Sequence, residues 1–336
     1  MASITIPVWR DYDMAMPSTP QDYAVKDGAT TIYTGRAYAR PGEASPKVRI
    51  NDIAAPLLAN PFPLVGDYTQ QVSNIFAADI LKTLKVYNGG GTQIGDDLIF
   101  AYDWSGEGAN NAVVGMSSAG GHRPIVAKAV QDMPLILTLF NNAPVLNEGV
   151  DDVEVETPNS IDSPFAWDMP GNYVLGKDWW PEDAPANGDD WIRWGPNRYT
   201  LIPACRVRYV LYYLNSFGCW DSLPLEGKCR EGRDYDRHNL KVVYDNSDAL
   251  ARGLVNYRNG ETRRWTLRTG WVDALGVSRM PHLIGSPSVY LMDMAERVTH
   301  PVVITDTAVE ERQYDDELAP VVYTINVQGA REGERR

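Results

Sequence analysis

Leu211-Tyr212-Tyr213-Leu214-Asn215-Ser216-Phe217-Gly218-Cys219-Trp220-Asp221-Ser222-Leu223-Pro224-Leu225-Glu226-Gly227 decides how the chain is read. Two apolar, aromatic-rich runs meet at a small polar elbow, Asn215-Ser216-Phe217-Gly218. Aromatic and aliphatic side chains suit a pleated, half-buried surface, and Asn, Ser and Gly permit the turn between them. The stretch predicts a hairpin. A pair of strands this apolar needs more sheet to cover it, because a lone hairpin is marginal in water. It reads as the core hairpin of a β-sandwich or barrel-like domain, with Tyr212 and Trp220 as packing residues rather than ligand contacts.

Beyond the elbow the same pattern repeats. Residues 240–244 form a strand that ends in the turn Asp245-Asn246-Ser247. In 263–269, Arg263-Arg264-Trp265-Thr266-Leu267-Arg268-Thr269, charge alternates with bulk, as in a strand with one wet face. Val272, Leu275, Met280, Leu283 and Ile284 outline an amphipathic helix, whose regularity Pro281 limits. Residues 288–292 and 301–305 read as paired strands across a polar connection, 321–327 as a last strand, and 331–336 as a charged tail expected to fray.

The amino-terminal part is also strand-rich. Residues 30–40 alternate until Pro41-Gly42, and 133–140 is an apolar strand of the buried type. Residues 81–87 and 98–104 read as two strands, with the turn Asn88-Gly89-Gly90-Gly91 between them. Asp52 is placed to cap a short helical turn through Ile53, Ala54 and Ala55, with Pro56 tolerated nearby. The glycines at 89–91 and in Gly106-Glu107-Gly108 lack the Lys-Ser/Thr of a P-loop and the order of a dinucleotide fingerprint, so they read as tight β-turns.

Between 141 and 199 the composition changes. Twelve acidic residues stand against three basic ones, a net of −9 within a chain of −13. Seven prolines interrupt regular structure, and Trp167, Trp179, Trp180, Trp191 and Trp194 lie among them. The segment reads as an irregular loop whose tryptophans pack on a neighbouring domain or another subunit. Two other readings are binding of sugar rings, with Trp179, Trp180, Trp191 and Trp194 as platforms, and calcium held by carboxylates. The Asp spacing does not follow an EF-hand loop. The expected organisation is an N-terminal β domain (1–140), this acidic Pro/Trp-rich connection or insertion (141–200), a C-terminal β domain (201–330) and the tail. The fold class is all-β and mainly antiparallel: two sandwich-like domains, one or two short helices and a long irregular acidic connection.

Chemistry is harder to find. His122, His238, His282 and His300 share no metal-ligand spacing, and no G-x-S-x-G or H-E-x-x-H occurs. Ser117-Ser118-Ala119-Gly120-Gly121-His122 reads as a small-residue loop rather than a nucleophile loop. A pair of acids at glycosidase separation would arise by chance among 44 Asp and Glu residues. The expectation is no catalysis, no cofactor and no metal. The negative charge and pI of about 4.8 disfavour nucleic acid as a partner. No signal peptide or membrane span is visible, so the chain is expected to be made in the cytoplasm as a soluble protein. Cys205, Cys219 and Cys229 are odd in number and too far apart for a C-x-x-C motif, which predicts buried free thiols.

The chain resembles a family of uncharacterised virion structural proteins, tail- or baseplate-associated, from tailed phages and prophages of gut Bacteroidales. The resemblance is carried by Ala204-Cys205, Leu211-Tyr212-Tyr213-Leu214-Asn215 and Gly218-Cys219-Trp220-Asp221, then by Asn256-Tyr257 and Leu267-Arg268-Thr269-Gly270-Trp271-Val272. Met280-Pro281-His282-Leu283, Ser288-Val289-Tyr290-Leu291, Pro301-Val302-Val303-Ile304-Thr305-Asp306 and Val322-Tyr323-Thr324-Ile325-Asn326-Val327 follow. Weaker matches are Tyr33-Thr34-Gly35-Arg36-Ala37-Tyr38, Ile50-Asn51-Asp52-Ile53 and Asp103-Trp104-Ser105. The family usually has Gly-Gly-Trp-Asp where this chain has Gly218-Cys219-Trp220-Asp221. The acidic middle does not align. The resemblance implies a non-enzymatic subunit located in the virion, with itself and other virion proteins as partners. The alternative from the Trp-rich segment is an adhesin contacting cell-surface glycans.

Overall fold

The computed structural model describes residues 3–7, 13–63, 73–75, 80–101, 126–130, 135–139, 155–156, 161–162, 171–175, 191–194, 197–215, 218–242, 253–272, 274–305 and 322–329. The protein is mainly antiparallel β, arranged in several sheets with two short α-helices. It divides into two compact units. One comprises Met1–Pro203 with Leu214–Ser222, the other Ala204–Tyr213 with Leu223–Arg336. The division passes through the elbow hairpin, whose tip belongs to the first unit.

In the first unit a five-stranded sheet runs in the order Ser3–Pro7, Asp97–Ala101, Leu81–Asn88, Gln21–Asp27, Thr30–Ala37. The outer pair Ser3–Pro7 and Asp97–Ala101 is parallel and the rest antiparallel. Gln21–Asp27 buries alternate residues, and Tyr23, Val25, Leu84, Val86, Leu98 and Phe100 join Met14, Met16, Ile50 and Ala54 in one core. Asp27 pairs with Thr30, which leaves a two-residue loop in which Gly28 takes φ +56°. In the glycine turn, Asn88 Oδ1 accepts from Gly90 N and Thr92 N at 3.0 and 2.8 Å, and Gly91 adopts φ +82°. This is the tight β-turn that the sequence predicts. The predicted cap at Asp52 is not formed. The helix Asn51–Ala54 begins after Ile50, without a side-chain cap, and Asp52 lies in its first turn, where its charge still favours the helix amino terminus.

Five short strands fall within the acidic stretch or at its end. Gly171–Leu175 lies between Leu135–Leu139 and Ser73–Ile75 in a three-stranded sheet. The order Ile161–Asp162, Val155–Glu156, Trp191–Trp194, Asn197–Ile202, Val126–Val130 makes a five-stranded one.

The elbow tip is a buried polar knot inside this unit. Gly218 takes φ +80°, and its N–H donates to Asn215 O at 3.0 Å. Asn215 Oδ1 accepts from Cys219 N at 2.9 Å, while Asn215 Nδ2 donates to Asp221 Oδ2 at 3.1 Å. Asn60 bridges three groups: its Nδ2 donates to Gly218 O at 2.6 Å, and its Oδ1 accepts from Asn172 Nδ2 at 2.6 Å and Trp220 Nε1 at 3.1 Å. Phe62 packs edge-on against Trp220, with ring centroids 5.0 Å apart. Trp220 is 1% exposed and Asn172 fully buried, so the indole N–H and the amide each need a partner.

A seven-stranded sheet orders Trp220–Leu225, Tyr209–Leu214, Val289–Asp293, Val298–Ile304, Thr324–Gly329, Gly253–Arg268, Arg230–Val242. Every residue of Tyr209–Leu214 is buried, so this strand is covered on both faces. Tyr209, Leu211, Leu225, Trp265, Leu267, Leu291, Ile325 and Val327 form the second unit's core with Met280 and Leu283 of the helix Ala274–Ile284. The helix retains Pro281 in its last turns. None of the three cysteines is in a disulfide, and only Cys219 is buried. Cys205 is exposed on the 3-10 turn Ala204–Arg206.

Candidate interaction surface

The two edges of the seven-stranded sheet are opposites. Trp220–Leu225 is almost wholly buried, whereas Arg230, Glu231, Gly232, Arg233, Asp234, Tyr235, Asp236 and Arg237 are all exposed. Arg230–Val242 pairs with Gly253–Arg268 along its whole length, with one register shift between His238 and Asn239. Only Arg264–Arg268 of the second strand go on to pair with Thr324–Gly329. Among the described residues the rest of Gly253–Arg268 has a single neighbour, so the two strands continue beyond the sheet as a ribbon. Ten residue pairs at about 3.4 Å per residue make an arm roughly 34 Å long.

Ion pairs join the two strands at the base of this arm. Arg233 Nη1 donates to Glu261 Oε1 at 2.8 Å, and Arg264 Nε lies 2.6 Å from Asp234 Oδ2. Both are diagonal cross-strand contacts, because Arg233 is directly opposite Arg263 and Asp234 opposite Thr262. The Glu261 carboxylate, followed by a hydrogen bond with Tyr235, raises the Arg233 guanidinium above its ordinary pKa. Arg237 stacks over the half-exposed Tyr235 ring at 5.7 Å. The set is acceptor and donor in equal measure. It can recognise another extended backbone and its charges, a mode in which main-chain hydrogen bonds supply affinity and side chains supply register.

The inner end of the arm is fixed by the sheet. Gly227 N donates to Arg268 O at 3.1 Å, and a Cβ at Gly227 would stand 2.5 Å from Arg268 Cβ. Cys229 sits here half-buried, and burial pushes its thiol pKa up, which keeps it protonated and unreactive at neutral pH. On the other side of the sheet Arg208 reaches Asp293 Oδ2 at 2.8 Å, and Asp293 Oδ1 accepts from Ala295 N and Glu296 N to close the following turn.

The residues predicted as binding platforms fall elsewhere. Trp191 and Trp194 stand at the two ends of the strand Trp191–Trp194, opposite Thr200 and Asn197. Trp179 and Trp180 lie outside the described residues, as do Gly106-Glu107-Gly108 and Ser117 to His122. Among the described residues no three His, Cys, Asp or Glu side chains gather as metal ligands, and no helix is long and apolar enough to cross a membrane. The charged edge is what sequence reasoning missed. Arg230 to Arg237 contains one aromatic and no aliphatic residue, so it carries no apolar alternation. Its only signal is charge mirrored in Arg258, Glu261, Arg263 and Arg264.

No family model matches the chain, and no curated protein matches its sequence.

Proposed function

We propose that the protein is a non-enzymatic structural subunit of a phage virion, a tail or baseplate component that assembles into a symmetric oligomer. The observation that carries the reading is the exposed, ion-paired edge Arg230–Arg237 of a sheet whose other edge is buried. A two-stranded ribbon is marginal by itself in water, and assembly gives it a partner. The residues of the family resemblance support it, because they build the frame. Leu211, Tyr212, Trp220 and Asp221 are buried, and Leu267, Met280, Leu283 and Leu291 lie in the second core.

Mass spectrometry of purified particles tests it. The chain is expected at a fixed copy number relative to other virion proteins. Its absence from particles of a phage that encodes it overturns the proposal. Binding of a surface glycan through Trp179, Trp180, Trp191 and Trp194 is the competing proposal. A glycan-array signal lost on joint Trp191→Ala and Trp194→Ala substitution favours it, and a signal that survives removes those two residues from it.

A further inference from the structure

We infer that the edge segment around Gly232, residues 228–236, is the self-association surface, pairing antiparallel with the same segment of a second copy about a two-fold axis through Gly232. This inference rests on the assembly reading above and names the surface that reading requires.

The argument is the order of charges. An edge guarded by charges of one sign repels a second strand, which is the common protection against unwanted pairing. This edge mixes both signs: Lys228, Arg230, Arg233 and Arg237 are basic, and Glu231, Asp234 and Asp236 acidic. With Gly232 opposite itself, Glu231 faces Arg233, Arg230 faces Asp234 and Lys228 faces Asp236. Each contact occurs twice by symmetry, and no like charges meet. Centring the axis one residue on, at Arg233, sets Arg233 against its own copy and leaves only Arg230 facing Asp236 as a favourable pair. Centring it on Tyr235 opposes Asp234 to Asp236 and Arg233 to Arg237. Directly opposed like charges destabilise a strand pair and opposed unlike charges stabilise it, so the Gly232 register is selected. Such an isologous contact is the rule for two-fold dimers.

Three further features fit. Gly232 has open space where a Cβ would be, so nothing of its own chain blocks close approach there. It lies opposite Arg264, in the part of Gly253–Arg268 that a third strand also holds, so the docking site is at the firm base of the arm. The existing pairs Arg233–Glu261 and Arg264–Asp234 leave the Arg233 and Asp234 side chains about half exposed.

Charge exchange between two variants of the full chain tests the pairing. Glu231→Arg alone sets Arg against Arg across the axis, and Arg233→Glu alone sets Glu against Glu. Each is expected to raise the dissociation constant of the self-complex about tenfold in sedimentation equilibrium. In an equimolar mixture both contacts are again of opposite sign, so association is expected to return to the wild-type constant. Single variants that associate like wild type, or a mixture that stays dissociated, overturn the inference. If wild type associates but ignores both substitutions, the edge is wrong and the assembly reading stands. If wild type never associates, both fall. Should either variant fail to fold, Gly232→Cys gives the same answer. Opposed Cα atoms in an antiparallel pair lie about 4.5–5.5 Å apart, within disulfide reach. Oxidation is expected to give a reducible cross-linked dimer beyond any formed by wild type, and no such excess overturns the register.

Discussion

Asn60 is the clearest case of one side chain serving distant parts of the sequence. It satisfies Gly218 O, Asn172 and Trp220 together, across separations of 158, 112 and 160 residues. Asn60→Leu removes the partner of three buried groups at once. The expected loss is about 2–4 kcal/mol in urea denaturation, against about 1 kcal/mol or less for an exposed residue such as Tyr38→Ala. A smaller loss than that at Asn60 sinks the bridging role. Tyr23 gives a pH test. Burial, then the neighbouring Tyr33, pushes its phenol up to about 12. The folded protein therefore holds this proton more tightly than the unfolded chain, which releases it near 10. The stability from Tyr23 is complete below pH 10 and falls away between about 10 and 12. Tyr23→Phe is expected to flatten that part of the pH–stability curve, and an unchanged slope contradicts the assignment. Tyr212 and Trp220 were legible in the sequence as packing residues because size and apolar character suffice to bury them. Asn60 was not, because only tertiary structure brings its three partners together.

Glycine marks where elements meet closely. A Cβ on Gly35 would lie 2.8 Å from Tyr23 Cζ and 2.9 Å from Tyr33 Cε1, so the cross-strand Tyr23 ring covers the glycine backbone. Gly35→Ala is expected to cost about 1–3 kcal/mol through displacement of these rings. Thermal unfolding that matches wild type contradicts the close contact. The strands at 30–37, 81–88 and 209–225 were readable because each alternates or stays apolar for five or more residues. The strand Gln21–Asp27 has the same alternation, with Asp27-Gly28 as its turn, yet its polar Gln21, Asp22 and Lys26 hide it. Within the acidic stretch the strands are two to six residues long and prolines separate them, too short for a period to show. The charged edge Arg230–Arg237 was invisible for another reason: it holds one aromatic and no aliphatic residue, so the usual apolar signal is missing.

The distribution of charge over the chain follows a division of labour. A net of −9 between 141 and 199 sets the overall acidity, while the edge Arg230–Arg237 carries three arginines and three acidic residues, a net of zero. Acidity keeps copies apart at long range, and a balanced edge permits contact in one register. Raising ionic strength screens both effects, so the association constant of wild type is expected to change little between low and moderate salt, while the Glu231→Arg variant recovers part of its lost association. A variant that stays equally impaired at high salt contradicts a charge-based register. The most direct measurement is the mass of the purified full chain by light scattering across concentration. The account predicts a defined multiple of the 37.4 kDa protomer. A strict monomer at every concentration, with no affinity for other virion proteins, contradicts it.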